Sequence, residues 1–371
     1  MTEAAFENLE GAVRGGPLHP LIPTSLGNEY PAGGRSVDTG FQEDGTPVRR
    51  GAVLAVRDLS ILVQGADGGW LSAVQNLSFD VRPGEVLGLV GESGSGKSLT
   101  CLALMDLLPP ALRRTGEVFV DPFGGTSARK SRRHMAMIFQ DPVGTLNPVK
   151  TIGAHLRECL FIHQRLKGKA ATAAAEELLE RVRISDARAV LDRYCHQLSG
   201  GMNQRVGIAL ALATEPRILV ADEPTTALDV RTQEDILEII DSLRRKDGLA
   251  VVIVTHDLSI VAAHADRVLV LYGGSAVEYA TRASAFSHPR HPYLTALLDA
   301  IPRFNDPRAT LPAIEGTVPA PGEALQGCNF YPRCGRASPI CRSQRPRLTQ
   351  CTQDHSVACH YPNDRGREDG A

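Results

Sequence analysis

Three observations predict an α/β fold built around a buried parallel sheet. Residues Gly91 to Ser98 read Gly-Glu-Ser-Gly-Ser-Gly-Lys-Ser and follow directly on the apolar run Val86, Leu87, Leu89 and Val90. Two more short apolar runs, Arg217 to Ala221 and Ala250 to Thr255, have the length and texture of strands covered on both faces. An amphipathic helix near Thr232 to Arg245 separates them, and this strand, helix, strand alternation is that of a parallel sheet.

The remaining elements follow in chain order. Residues 1–50 are rich in Gly, Pro, Ser and Thr without helical or strand periodicity, so a mostly disordered extension is expected there. From about Ala52, the run Val53, Leu54, Val56, Leu59, Ile61 and Val63 and, after a Gly-rich turn, Val74, Leu77, Phe79 and Val81 read as an antiparallel strand pair. A helix from Leu99 to Leu108 is expected after the glycine loop. The stretch from about 143 to 203 contains the Ala/Glu/Leu helix Ala171 to Arg183 and no clear strand, and reads as a helical insert. This places the α/β domain at 51–287. Beyond it, 288–371 is Pro-rich, ends in a cysteine cluster and reads as a separate small unit.

With 371 residues, 43% hydrophobic and 22% charged, the chain has room for one large domain and an appendage. A formal net charge of -2 excludes the overall basic field of nonspecific nucleic-acid binding. No run approaches the roughly 18 apolar residues of a membrane span, and the start of the chain lacks a secretory pattern, so a cytoplasmic location is expected.

The chemistry begins at the glycine loop. Gly91, Ser93, Gly94, Ser95 and Gly96 are small enough for main-chain N–H groups to converge on a polyphosphate. Lys97 would reach the β and γ phosphates, Ser98 would offer its hydroxyl to Mg²⁺, and Leu99 continues a helix whose positive end faces the same anion. The strand ending at Ala221 delivers Asp222 and Glu223 together, an arrangement costly to bury without a cation or reacting group. Asp222 suits the Mg²⁺ shell and Glu223 the water that attacks the γ phosphate. A second small-residue turn, Leu198-Ser199-Gly200-Gly201-Met202, opens a helix from Gln204 to Ala213. One chain has little use for two phosphate-recognising turns at one nucleotide, so Ser199, Gly200 and Gly201 are expected to face the nucleotide of a second subunit in an ATP sandwich.

Phosphate loop, LSGGM turn, acidic pair and downstream His256 occur in the order of the ATP-binding cassette family, which the chain resembles from about Val53 to Ala280. The resemblance implies a P-loop NTPase core with an antiparallel β subdomain and a helical insert. Gln140 matches the glutamine that senses Mg²⁺ and the γ phosphate, Asp229 the residue at the cassette interface, and His256 the histidine that contacts the γ phosphate. Lys97, Gln140, Glu223 and His256 are thereby the catalytic candidates, and hydrolytic competence is expected. Val63 stands where related cassettes carry an adenine-stacking aromatic, with Trp70 a little further on as a substitute.

Ile138 to Gly153, the tripeptide His291-Pro292-Tyr293 and the segment Gly327 to Cys334 narrow the resemblance to the ATPase subunits of oligopeptide and dipeptide (peptide/nickel) importers. Cys328, Cys334, Cys341 and Cys359 are separated by 5, 6 and 17 residues, unlike the CxxC pairs of zinc knuckles, and by spacing alone either a metal or free thiols would suit them. The importer resemblance implies a [4Fe-4S] cluster at these four, with Cys351 as a rival ligand. It also implies two permease subunits, a second related ATPase, an extracellular substrate-binding protein and a peripheral position on the cytoplasmic face of the membrane. Peptides are the expected cargo, with nickel chelates or glutathione as alternatives. A soluble cassette acting on nucleic acid is disfavoured, since neither a second cassette nor a coiled-coil insertion is visible.

Overall fold

Two long antiparallel strands, β1 (Leu54–Gln64) and β2 (Trp70–Val81), bring the chain into the sheet, turning Leu54, Val56, Leu59, Ile61, Val74 and Leu77 inward. The computed structural model describes residues 51–65, 68–120, 134–226, 228–301, 314–320, 326–352 and 354–363; the extension expected over residues 1–50 lies outside them. After β2 come β3 (Val86–Val90), helix α1 (Lys97–Met105), β4 (Leu112–Val120) and β5 (Met135–Ile138). The insert follows, with α2 (Ile152–Gln164), α3 (Gly168–Arg181) and α4 (Gly200–Leu212) as its main helices. Then β6 (Ile218–Asp222), α5 (Val230–Asp247), β7 (Ala250–Thr255), α6 (Leu258–His264), β8 (Arg267–Tyr272) and β9 (Ser275–Thr281) complete the α/β alternation. Helices α7 (Arg282–Ser287) and α8 (Pro292–Asp299) lead to the tail, which carries β10 (Thr349–Thr352) and β11 (His355–Val357).

The strand order is β4-β1-β2-β9-β8-β3-β7-β6-β5. Strands β8, β3, β7, β6 and β5 run parallel and form the centre. Every residue of β3, β6, β7 and β8 is buried, which is why these strands read as continuous apolar runs. β4, β1 and β2 form the antiparallel wing, and β9 lies antiparallel on β8. The insert packs through Leu156 and Leu160 of α2, Ala175 and Leu179 of α3 and Val206 of α4. Helix α1 is shorter than expected at its C-terminal end, because Asp106 adopts a left-handed conformation there.

The tail does not stand apart. β11 pairs with β9 beyond its single bridge to β2, His355 opposite Ala280 and Val357 opposite Glu278. The pin is Glu278, 0% exposed, whose carboxylate accepts hydrogen bonds from the main-chain N–H of Arg290 at 2.9 Å and of His291 at 2.6 Å and from His355 Nε2 at 2.7 Å. A buried carboxylate this fully paired welds tail to sheet and would be costly to strand.

Candidate active site

The loops leaving the C-terminal ends of β3, β6 and β7 meet at one place, where ligands bind in open α/β sheets. The glycine loop curls between β3 and α1. Gly91 has φ 156, and a Cβ there would lie 2.3 Å from the main-chain oxygen of Leu271, so only glycine lets the loop pass this closely over β8. Gly96, in the left-handed region, caps α1 without a side chain. Lys97 is buried, and its Nζ donates to the main-chain oxygens of Gly91 at 2.8 Å and Glu92 at 2.9 Å, which holds the ammonium inside the curl. Burial lowers its pKa, opposed by the charges of Glu223 and Asp222. Ser93 and Gly94 at the crest are exposed, whereas Ser95 is buried with its Oγ unpaired. Leu99 lies in the first turn of α1.

Ser98 Oγ donates to Asp222 Oδ1 at 3.1 Å. Burial lifts the Asp222 carboxyl to about 6, the hydrogen bond from Ser98 opposing and the charge of Glu223 adding to it. A hydroxyl and a strongly desolvated carboxylate side by side form the kind of oxygen pair a small divalent cation takes. Glu223 sits one residue beyond β6 at φ 46, a conformation that costs a non-glycine residue about 1 kcal/mol or more and is concentrated at functional positions. That turn swings its side chain out of the sheet. Oε2 accepts from Gln140 Nε2 at 3.0 Å and Thr226 Oγ1 at 2.9 Å, while Oε1 meets His256 Nδ1 at 3.1 Å. Glu223 is therefore the hub joining three separate loops. Thr226 was not anticipated from the sequence, since a threonine three residues after an acid carries no signal of its own.

Ser199, Gly200 and Gly201 lie elsewhere. Ser199 caps α4, its Oγ accepting from Met202 N, and both Ser199 and Gly200 are exposed. The helix thus opens at Gly200, earlier than the expected Gln204. A Cβ on Gly201 would come within 2.4 Å of Thr232 Cγ2, so this turn is fitted against the start of α5. Asp229 caps that helix, accepting from Thr232 N at 3.0 Å and Thr232 Oγ1 at 2.7 Å, bonds that lower its pKa. Among the described residues no hydrogen bond joins this turn to the glycine loop of the same chain.

Both adenine-stacking candidates are half-buried. Val63 is in β1, paired with Leu71 and Leu112, and Trp70 begins β2 with the Arg113 guanidinium 4.1 Å above its ring.

In the tail, Cys328, Cys334, Cys341 and Cys359 line one cavity of about 340 Å³, measured with its open mouth, together with Phe330, Tyr331 and Pro292. Cys351 is absent from its lining, lies on β10 and donates its Sγ–H to the main-chain oxygen of His355. Desolvation lifts the Cys328 thiol to about 11, with the neighbouring thiols adding to it, and raises Cys334 and Cys359 as well. Main-chain N–H groups two residues on, at Phe330, Arg336 and Tyr361, oppose the rise at these three sulfurs. Among the described residues no three His, Cys, Asp or Glu side chains approach closely enough to hold one metal ion.

Comparison with known proteins agrees with this geometry. A family model described as ABC transporter matches residues 74–226, and one described as the C-terminal region of oligopeptide/dipeptide transporters matches residues 277–341. A protein named as a peptide import ATP-binding protein of Brucella abortus (strain 2308) is 45% identical over 302 residues, covering 79% of this chain and 90% of its own length. The dipeptide transport ATP-binding protein DppD of Escherichia coli (strain K12) is 42% identical over 326 residues, covering 85% and 99% respectively. Among solved structures, a dimeric post-hydrolysis state of the ATP-binding cassette MJ0796 bound to ADP and Pi matches with a TM-score of 0.54 and 28% identity. That match covers 62% of this chain and 98% of that one.

Proposed function

This chain belongs to the ABC transporter family, as an ATPase subunit, and from that premise we propose that it powers the import of di- and oligopeptides. The observation carrying the catalytic part is the hub at Glu223, which links Gln140 and His256 beside Lys97 and the Ser98–Asp222 pair. In this reading Ser98, Asp222 and Gln140 hold Mg²⁺, Lys97 and the N–H groups of the glycine loop hold the β and γ phosphates, and Glu223 orients the attacking water. Water takes over one of the bonds Glu223 now makes to its neighbours. Catalysis is then positioning and charge stabilisation of an in-line attack.

Ser199, Gly200 and Gly201 of this chain complete the nucleotide site of a partner cassette, whose corresponding turn completes the site here. Exposed Ser199, Gly200 and Asp229, with Val230 beside them at 73% exposure, support a surface that another subunit covers. The related MJ0796 cassette has been solved as a dimer, which favours the same arrangement. No described helix is long and apolar enough to cross a membrane, so the work passes to two separate permease subunits from the cytoplasmic face. Exposed Val143 and Val149, the latter at 80%, follow Gln140 closely in the chain and suit a permease helix. A second related ATPase and an extracellular binding protein complete the assembly, and the peptide cargo rests on the named relatives and the C-terminal match.

The cavity thiols fit a [4Fe-4S] cluster held by Cys328, Cys334, Cys341 and Cys359. Four cysteine thiolates are a ligand set such a cluster would take, and the main-chain N–H groups at three of the sulfurs would suit it. Such a group would supply cross-linking to a tail with little aliphatic core of its own. Steady-state ATPase of the wild type against Glu223→Gln tests catalysis, with loss of turnover and retained ATP binding expected. Reconstitution with permeases and binding protein tests cargo, because a peptide-loaded binding protein should stimulate hydrolysis. Anaerobic purification tests the cluster: about four irons per chain support it, whereas zinc or metal-free protein overturns it.

A further inference from the structure

The second residue of the glycine loop is acidic, and a carboxylate beside an incoming polyphosphate should repel it. The structure shows how that charge is managed. Arg333, 241 residues along the chain, grips Glu92 with both prongs of its guanidinium, Nη1 to Oε2 at 2.8 Å and Nη2 to Oε1 at 3.2 Å. Its remaining N–H groups are all taken: Nη1 also donates to Tyr272 Oη at 3.1 Å, Nη2 to the main-chain oxygen of Ile314 at 2.9 Å and Nε to that of Glu315 at 2.9 Å. With five acceptors and a side chain only 5% exposed, Arg333 has no freedom to wander. The 3-10 turn that carries it, Tyr331–Arg333, is anchored by buried Phe330, whose ring meets Tyr272 at 5.1 Å and Tyr293 at 5.4 Å. Tyr293 in turn accepts the main-chain N–H of Glu92 through its hydroxyl at 2.9 Å. Two groups on the C-terminal side of the cassette thus hold both the main chain and the carboxylate of one loop residue, while Lys97 holds its main-chain oxygen.

We propose that Arg333 is a positioning residue for nucleotide binding: it neutralises Glu92 and fixes the entrance of the phosphate loop so that the loop N–H groups and Lys97 stay aimed at the polyphosphate. The proposal rests on the ATPase reading and adds to it a residue that does not touch the nucleotide. Its effect falls on binding, because none of the hydrogen-bond partners of Arg333 belongs to the Glu223 hub.

The test uses the full chain and the fluorescent nucleotide mant-ATP. Wild-type binding comes first; if it is absent, the ATPase reading fails and this proposal with it. Given wild-type binding, Arg333→Ala should raise both the mant-ATP Kd and the KM for ATP about tenfold, with kcat within about a factor of two. Adding Glu92→Gln should restore much of the lost affinity, since the stranded carboxylate is then gone. A merely structural role predicts the reverse, the double variant binding no better than Arg333→Ala. Arg333→Lys keeps the cation but loses the fork and should fall between wild type and alanine. Should the alanine variant fail to fold, the lysine variant decides: weakened binding supports the proposal, wild-type affinity overturns it. A folded Arg333→Ala with unchanged Kd, or a double variant as weak as the single, also overturns it.

Discussion

Asp222→Asn should stabilise the protein while abolishing its hydrolysis. The Asp222 carboxyl is buried and lifted from 3.8 to about 6 in the folded state. A folded-state pKa above the unfolded one means that the native state holds the proton more tightly. The contribution to stability is fully present below about pH 4 and is lost as pH rises through about 6. At pH 8 the metal-free native state carries a desolvated charge that asparagine lacks, and about two pKa units correspond to about 3 kcal/mol. The assay is thermal unfolding of both proteins in EDTA without nucleotide, at pH 8 and at pH 4.5. The variant should melt about 5 °C higher at pH 8, and the gap should close toward pH 4.5. Adding Mg²⁺ and ATP should raise the wild-type midpoint by linkage and leave the variant's largely unmoved, while its turnover falls at least about 100-fold. A variant that melts at or below wild type at pH 8, or by a margin that does not change with pH, would refute the account of Asp222 as a charge stranded until a cation arrives.

Three further outcomes follow from contacts elsewhere. Gly201→Ala places a Cβ 2.4 Å from Thr232 Cγ2, so ATPase turnover should fall about tenfold or more while mant-ATP affinity at the glycine loop is unchanged, measured on the same preparation. Arg267, buried between Asp80 and Glu85 and bonded to both, should cost about 3–5 kcal/mol when replaced by alanine, because two buried carboxylates lose their cation; urea unfolding measures it. His355→Ala removes one of three donors to Glu278 and a partner of Ser284, and should expose residues 349–357 to limited proteolysis and lower stability by about 2 kcal/mol.

What could be read from the sequence divides along a physical line. β3, β6 and β7 are covered on both faces, so their apolar runs announced them, and the amphipathic α5 was found within two residues at each end. β8 and β9 were missed although β8 is buried throughout and β9 in part. β8 begins with Arg267, and β9 contains Glu278. Their charges are paired by residues remote in sequence, Glu85 and Asp80 in one case and His355 in the other, and an apolar-run criterion cannot foresee such pairing. β4 was missed for a different reason: as an edge strand it exposes Arg113, Glu117 and Thr115. In the site, the glycine loop and the acidic pair were legible from local chemistry and Gln140, Asp229 and His256 from the order of the motifs, whereas Thr226 carries no signal of its own and Tyr293 acts through a position that only the fold brings near Glu92.

The tripeptide His291-Pro292-Tyr293 entered as a mark of resemblance, and the structure gives it a mechanical meaning. His291 donates its main-chain N–H to Glu278, the pin that holds β11 on β9, and its Nδ1 accepts the N–H of Tyr293 to open α8. Burial lowers its pKa to about 3, so the ring stays neutral and remains an acceptor at any working pH. Pro292 sits in the first turn, where its missing N–H costs nothing. Tyr293 then reaches the other way and takes the N–H of Glu92. Three consecutive residues therefore span from the buried pin of the tail to the first turn of the phosphate loop, and Phe330 packs against both rings at 5.8 Å and 5.4 Å. Here the loop is also held from the C-terminal side, and whatever loosens the tail reaches the nucleotide through a few hydrogen bonds in series.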